Sequence, residues 1–224
     1  MEIINPENTD YHMHSFNYSD GMNTVEEIVI YAGKIGLETI AITDHSQFVI
    51  DKQGYGKKCS RTLLRRWGNQ HNDVKVIFGV EADIKDKYGD VCTDILGEEP
   101  EFIILSAHKD YIDCKDECIN QAYKVALKKY HDKIKFVAHP CIKAYSKHLD
   151  IDALVKQLNE YKIPAEINGA NLLNNKTDID MLIRMCSKID RVYVNSDAHT
   201  LKEMKYARQE AYKFLGENNF FRGK

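Results

Sequence analysis

Asp10-Tyr11-His12-Met13-His14 is the stretch whose reading decides the fold. In a β-strand side chains alternate between faces, so His12 and His14 share one side and Met13 takes the other. A hydrophobic core gains little from a strand that ends on two imidazoles, whereas a metal ion requires such donors. The same kind of ending recurs along the chain. Asp20 stands in Ser19-Asp20-Gly21, His45 in Thr43-Asp44-His45, and Glu81 follows the apolar run Val76-Ile77-Phe78-Gly79-Val80. His108 closes Ser106-Ala107-His108, His139 closes Val137-Ala138-His139, and Asp197 with His199 lies in Asn195-Ser196-Asp197-Ala198-His199. Six of the nine histidines fall into this pattern, leaving only His71, His131 and His148 outside it.

Around these motifs the chain alternates short β-branched runs with helical periodicity. Strands are expected over 10–14, 39–43, 74–80, 102–107, 135–138, 165–167 and 191–194. Helices are expected over 25–35, 62–69, 115–130, 151–161, 179–187 and 201–215. Thr24 with Glu27, and Thr200 with Glu203, match the capping box, and Asp150 can cap the helix that follows it. Parallel strands need crossover connections, so the alternation predicts an α/β fold with helices outside a parallel sheet. Seven such units suggest a closed barrel. In a barrel the first and last strands are neighbours, which would bring His12 and His14 against Asp197 and His199. Functional groups of such barrels gather at the carboxyl ends of the strands, where all nine candidates stand.

A chain of 224 residues suits a single domain over 1–224, long enough to bury a substantial core. A formal net charge of −3 argues against broad attraction to nucleic acid, and no apolar run approaches a membrane span. The amino terminus has no charged-then-apolar leader, so a cytoplasmic address is expected. The cysteines are scattered, and reduced thiols are expected, with Cys114 and Cys118 packing on one helical face.

Imidazole and carboxylate donors suit Zn, Mn or Fe alike. Nine of them exceed the needs of one tetrahedral ion, which points to two or three divalent metal ions bridged by Glu81 or by water. Clustered divalent ions polarise a phosphoryl oxygen and generate hydroxide near neutral pH, so phosphate-ester hydrolysis is the expected chemistry. Taken singly, the motifs have plainer readings: a loop turn at Asp44-His45, a β-turn at Asp20-Gly21, a strand end at His139-Pro140. A buried Glu81 and the joint pattern argue against them.

In order and spacing, these motifs resemble the PHP family, named for polymerase and histidinol phosphatase, over the whole chain. The resemblance implies a distorted seven-stranded (β/α)7 TIM-like barrel with a two- or three-metal centre. It implies one ion on His12, His14, Glu81 and Asp197, a second on Glu81, His108 and His139, and a third on Asp20, His45 and His199. Some relatives have His where this chain has Asp20; the carboxylate is similar to the pattern of histidinol-phosphate phosphatases, a link to histidine biosynthesis. Asn168, in Glu166-Ile167-Asn168, together with Lys109, Lys143 and Arg61, is expected to contact substrate. Asp44 is expected to serve as general acid/base or to orient a ligand imidazole. The implied activity is that of a metal-dependent phosphomonoesterase, histidinol-phosphatase-like, acting on a small phosphorylated metabolite with no stable nucleic-acid partner. Rival readings are a phosphodiesterase or exonuclease acting on nucleotides or nucleic-acid ends, and a non-catalytic metal-binding module.

Overall fold

Thr39–His45 (β3) and Lys75–Ile84 (β4) lie side by side in parallel, with His45 opposite Glu81 at the end of the register. That pairing sets the pattern for the fold. The computed structural model describes residues 1–54, 71–114 and 116–220; the helix expected over 62–69 and Arg61 fall outside them. From β4 the sheet continues through Phe102–Ser106 (β6), Ile134–Val137 (β7), Ala165–Asn168 (β8) and Arg191–Asn195 (β9) to Glu2–Ile3 (β1). On the other side β3 pairs with Thr9–Asp10 (β2). Among the described residues every strand-to-strand pairing is parallel except that of Val91–Cys92 (β5), which folds back on the end of β4.

The two ends of this sheet meet. Met13 bridges Ala198 in parallel, Asp197 N donates to His12 O at 2.8 Å, and His14 N donates to Ala198 O at 2.9 Å. The result is the distorted (β/α)7 barrel expected from the strand–helix alternation, curled so that the first and last histidine pairs adjoin. The strand expected over 10–14 is ladder-paired only at Thr9–Asp10. Beyond it side chains take over the backbone: Tyr11 N donates to Asn195 Oδ1 at 3.1 Å and His12 N to Asp10 Oδ1 at 3.4 Å.

Helices cover the outside, beginning with Val25–Lys34 (α1) and Gln47–Lys52 (α2). Next come Ile119–Tyr130 (α3), Ile151–Tyr161 (α4) and the short Gly169–Leu173 (α5). Ile179–Cys186 (α6) and Leu201–Glu217 (α7) complete the set among the described residues. The caps fall where expected: Thr24 and Glu27 form a reciprocal box, Asp150 accepts from the amides of Asp152 and Ala153, and Thr200 accepts from that of Glu203. One apolar layer joins Leu105, Val137, Ile167, Val192 and Val194 to Leu127, Leu158, Met185 and Leu215. A second seats Met13, Ile40 and Ile42 on Ile28, Val29 and Ala32 of α1. Each such side chain contributes about 1.5–3 kcal/mol when fully buried.

Inside the barrel, below the strand ends, Tyr11 stacks on Phe102 at 5.3 Å and Phe136 stacks on Tyr193 at 4.8 Å. These rings come from strands that are not all neighbours, so they meet across the interior. The thiol expectation needs one correction. Cys114 and Cys118 are joined as a disulfide; α3 begins only at Ile119, so the pair sits in the turn leading into it, where the two residues can converge. Cys92, Cys141 and Cys186 are free thiols. Among the described residues no helix is long and apolar enough to cross a membrane.

Candidate metal centre

All nine candidate ligands converge at the carboxyl ends of the strands, with Glu81 at the middle. Its Oε1 lies 2.7 Å from His139 Nε2, 3.6 Å from His108 Nε2 and 3.7 Å from His12 Nε2. Its Oε2 lies 2.9 Å from His45 Nδ1 and 3.5 Å from His14 Nε2. Asp197 Oδ1 is 3.3 Å from Nε2 of both His12 and His14. Asp20 Oδ1 is 3.4 Å from His199 Nε2 and 3.5 Å from His45 Nε2. Four compact groups can each hold a cation: His14, Asp20, His45 and His199; His12, His14 and Glu81; His12, His139 and Asp197; His45, Glu81 and His108. The overlapping groups keep His12, His14 and Glu81 together and Asp20, His45 and His199 together, as the resemblance implies, and add further juxtapositions. His14 stands with Asp20, His45 also joins His108, and His139 joins His12 and Asp197 as well as touching Glu81.

Four of the imidazoles have their far nitrogen engaged. His12 Nδ1 is 2.9 Å from Glu166 Oε1, His108 Nδ1 is 2.5 Å from Asp83 Oδ1, His199 Nδ1 is 3.1 Å from Asp197 O, and His14 Nδ1 is 3.3 Å from Ser19 Oγ. An acceptor at Nδ1 holds the proton there and leaves the Nε2 lone pair facing the cluster. Elsewhere Asp20 Oδ1 and His139 Nδ1 are buried without a hydrogen bond, and Glu81 Oε2 and His45 Nδ1 face each other at 2.9 Å without hydrogen-bond alignment. Buried polar atoms are normally partnered, and a cation in this space would give these atoms what they lack. The donor set, all imidazole nitrogen and carboxylate oxygen, fits Zn, Mn or Fe.

The electrostatics favour a cation too. Burial opposes ionisation of Glu81, yet His108, His45 and His12 outweigh it and hold the carboxyl well below its usual range. Asp20 and Asp197 are depressed in the same way, burial being overcome by His199 and His45 in one case and by His12 and His14 in the other. In return the carboxylates outweigh burial at His12, His45 and His139 and raise all three. His199 is raised to about 9 because Asp20 and Asp197 overcome its burial. His14 behaves oppositely, pushed down to about 3 by burial and by repulsion from His199 and His45.

The backbone is bent to this purpose. His139 and Asp197 hold φ of 31° and 54°, a left-handed region that non-glycine residues seldom adopt and that clusters at functional sites. Gly21 lets the Asp20 loop close, because a Cβ there would lie 2.1 Å from His14 O.

The other expected residues take different places. Asp44 is buried and accepts from Ser15 N, Ser15 Oγ and Ser19 Oγ at 2.6, 2.7 and 2.5 Å. Its carboxylate therefore braces the loop between His14 and Asp20 and reaches an imidazole only through Ser19. Burial, moderated by those bonds, pushes its pKa up to about 6. Asn168, expected at the mouth, is buried instead. Its amide donates to Glu166 Oε2 and Asp197 Oδ2, both at 2.9 Å, while its oxygen accepts from Asn171 N. Lys109 is exposed directly beyond His108. Lys143 is committed to the backbone and side-chain oxygens of Asn175 at 2.8 and 3.0 Å. Two residues escaped the sequence reading, Asp83 and the bracing role of Glu166. Each lies two positions along a strand from a residue already singled out, Glu81 or Asn168, and so on the same face.

The PHP domain family model matches residues 10–221, and the chain belongs to that family. It is similar to a probable phosphatase from Tolumonas auensis, 24% identical over 197 residues that span 85% of this chain and 77% of the relative. Another probable phosphatase, from Serratia proteamaculans, is 24% identical over 168 residues, 75% of this chain and 66% of the relative. Among solved structures the chain is similar to histidinol phosphate phosphatase from Lactococcus lactis, complexed with zinc, L-histidinol and phosphate. The TM-score is 0.57 at 16% identity, covering 95% of this chain and 94% of that one. At that identity the likeness speaks for the fold alone.

Proposed function

We propose that this protein is a metal-dependent phosphomonoesterase, in which His12, His14, Asp20, His45, Glu81, His108, His139, Asp197 and His199 hold two or three divalent ions. The observation that carries the reading is the set of imidazoles fixed through Nδ1 around the buried Glu81. The relatives, themselves probable phosphatases, and the zinc and phosphate of the structural neighbour support it. Bound divalent ions would supply Lewis acidity toward a phosphoryl oxygen and lower the pKa of a nearby water.

The chain's own residues divide the remaining work. His12 and Glu81, with side chains 0% and 1% exposed, form the floor, whereas His108, Asp20 and His199, at 22%, 24% and 32%, face the approach. A phosphate would arrive over those three, and Lys109, next in sequence to His108, is our candidate for the cation that meets its charge. Carboxylates behind His12 and His108 accept at Nδ1 and so turn Nε2 inward, toward where a cation would sit. We extend the reading to one domain over 1–224, a cytoplasmic address and a small phosphorylated substrate such as histidinol phosphate.

The test is hydrolysis of p-nitrophenyl phosphate by protein loaded with Mn or Zn, expected to proceed and to stop on chelation. Histidinol phosphate should be turned over faster than bis-p-nitrophenyl phosphate. Faster turnover of the diester would transfer the reading to a phosphodiesterase, and metal uptake without turnover of any phosphoester would transfer it to a binding module.

A further inference from the structure

Behind the nine candidate ligands lies another layer of buried carboxylates, Glu166, Asp83 and Asp44. Each collects donors from a different part of the cluster. Glu166 Oε1 accepts from His12 Nδ1 at 2.9 Å and Asn195 Nδ2 at 3.0 Å, and its Oε2 accepts from His139 N and Asn168 Nδ2, both at 2.9 Å. Through Asn168 it also reaches Asp197. One carboxylate thus fixes the ring of His12, the left-handed backbone of His139 and, through one amide, the carboxylate of Asp197. Those three residues form one of the compact groups.

Asp83 does the same for another group. Its Oδ1 accepts from His108 Nδ1 at 2.5 Å and Ser106 Oγ at 3.3 Å, and its Oδ2 accepts from Ser46 Oγ at 2.8 Å. Ser46 follows His45 and donates its own amide to Glu81 O at 3.1 Å. Asp83 is therefore wired to His45, Glu81 and His108. Asp44 takes the remaining corner: Ser15 and Ser19 flank the His14–Asp20 loop, and Ser19 Oγ continues to His14 Nδ1 at 3.3 Å.

We infer that Glu166, Asp83 and Asp44 are positioning residues serving three different cation positions, so that each position can be weakened while the others persist. The inference rests on the metal reading proposed above. A carboxylate behind an imidazole fixes its tautomer and orientation, and its loss weakens metal affinity by about 10–100-fold. The donors named for the three networks are all different, so the loss should stay local.

The experiment compares wild type with Glu166→Gln, Asp83→Asn and Asp44→Asn. Each protein is titrated with Mn(II) and with Zn(II) by calorimetry, its retained metal is counted by elemental analysis after dialysis, and its metal-free melt is followed by circular dichroism. Each variant should lose about 10–100-fold in one binding step and keep the rest. The Glu166→Gln/Asp83→Asn double variant should lose two steps. Equal weakening of every step, or no change in any, would overturn the inference. Should a carboxylate variant fail to fold, Glu166→Asp, Ser106→Ala and Ser19→Ala touch the same three networks while keeping the buried charge, and the same selective loss is required of them. A wild type that takes up no metal sinks the function itself. Wild-type uptake with uniform loss in the variants sinks only the separate bracing.

Discussion

The two ends of this barrel are built from opposite chemistry only one to four residues apart. Tyr11, Phe102, Phe136 and Tyr193 close the lower interior with stacked and edge-on rings, while His12, His139 and Asp197 crown the same strands with ionisable groups. The lower layer is satisfied by apolar burial. The upper layer holds unpartnered polar atoms and two left-handed backbones, which persist because the structure beneath over-determines them. Stability and function are thereby separated along the barrel axis.

That separation makes its strongest prediction at Glu81. Glu81→Gln should reduce turnover of p-nitrophenyl phosphate by about 10³-fold or more, equivalent to about 4 kcal/mol, and strip metal from the centre. Metal-free stability should fall by less than Phe136→Ala costs, because imidazoles released from the carboxylate can shed protons instead of remaining buried cations. Phe136→Ala inverts the outcome. It should lower metal-free stability by about 3–5 kcal/mol in a urea titration while its folded fraction still takes up metal. If Glu81→Gln cost as much stability as Phe136→Ala, the division between the ends would be broken.

Gly21 probes the loop that carries Asp20. Ala at this position forces its Cβ against the backbone of His14 and Ser15, an overpacking worth about 1–3 kcal/mol that an outward shift of Asp20 would relieve. The expected result is weaker metal binding at the position built on His14, Asp20, His45 and His199, with a smaller fall in melting temperature than that of Phe136→Ala. Unchanged binding would show that the loop tolerates the methyl without shifting its carboxylate.

Much of this was legible in the sequence because strand ends announce themselves. A β-branched run that stops at an imidazole or carboxylate carries both the fold and the ligand, as at Thr43-Asp44-His45 and Val80-Glu81. Convergence of His12 and His14 with Asp197 and His199 followed from barrel closure alone. What escaped depends on register between strands. Asp83 sits opposite Ser106, two residues before His108, and nothing local in either strand announces that meeting. Asn168 faces Asn195 in the β8–β9 register, so its amide turns inward to Glu166 and Asp197 rather than outward to substrate. That the ligand groups overlap beyond Glu81, sharing His12, His14 and His45 as well, was equally out of reach.

The mildest prediction separates two caps of similar strength. Thr200 accepts from Glu203 N, and the Glu203 carboxylate in turn accepts from His199 N at 2.9 Å, so this helix start is tied to a candidate ligand. Asp150 caps α4 by accepting from Asp152 N and Ala153 N, neither of them a candidate ligand. Losing either cap to Ala should remove about 1 kcal/mol and lower the melting temperature by about 2–4 °C. Thr200→Ala should also weaken metal binding, since His199 loses part of its anchor, whereas Asp150→Ala should leave binding untouched. Equal metal affinity in the two variants would mean that Glu203 holds His199 without help from its cap, and that the strand-end layer is rigid independently of the helix that follows it.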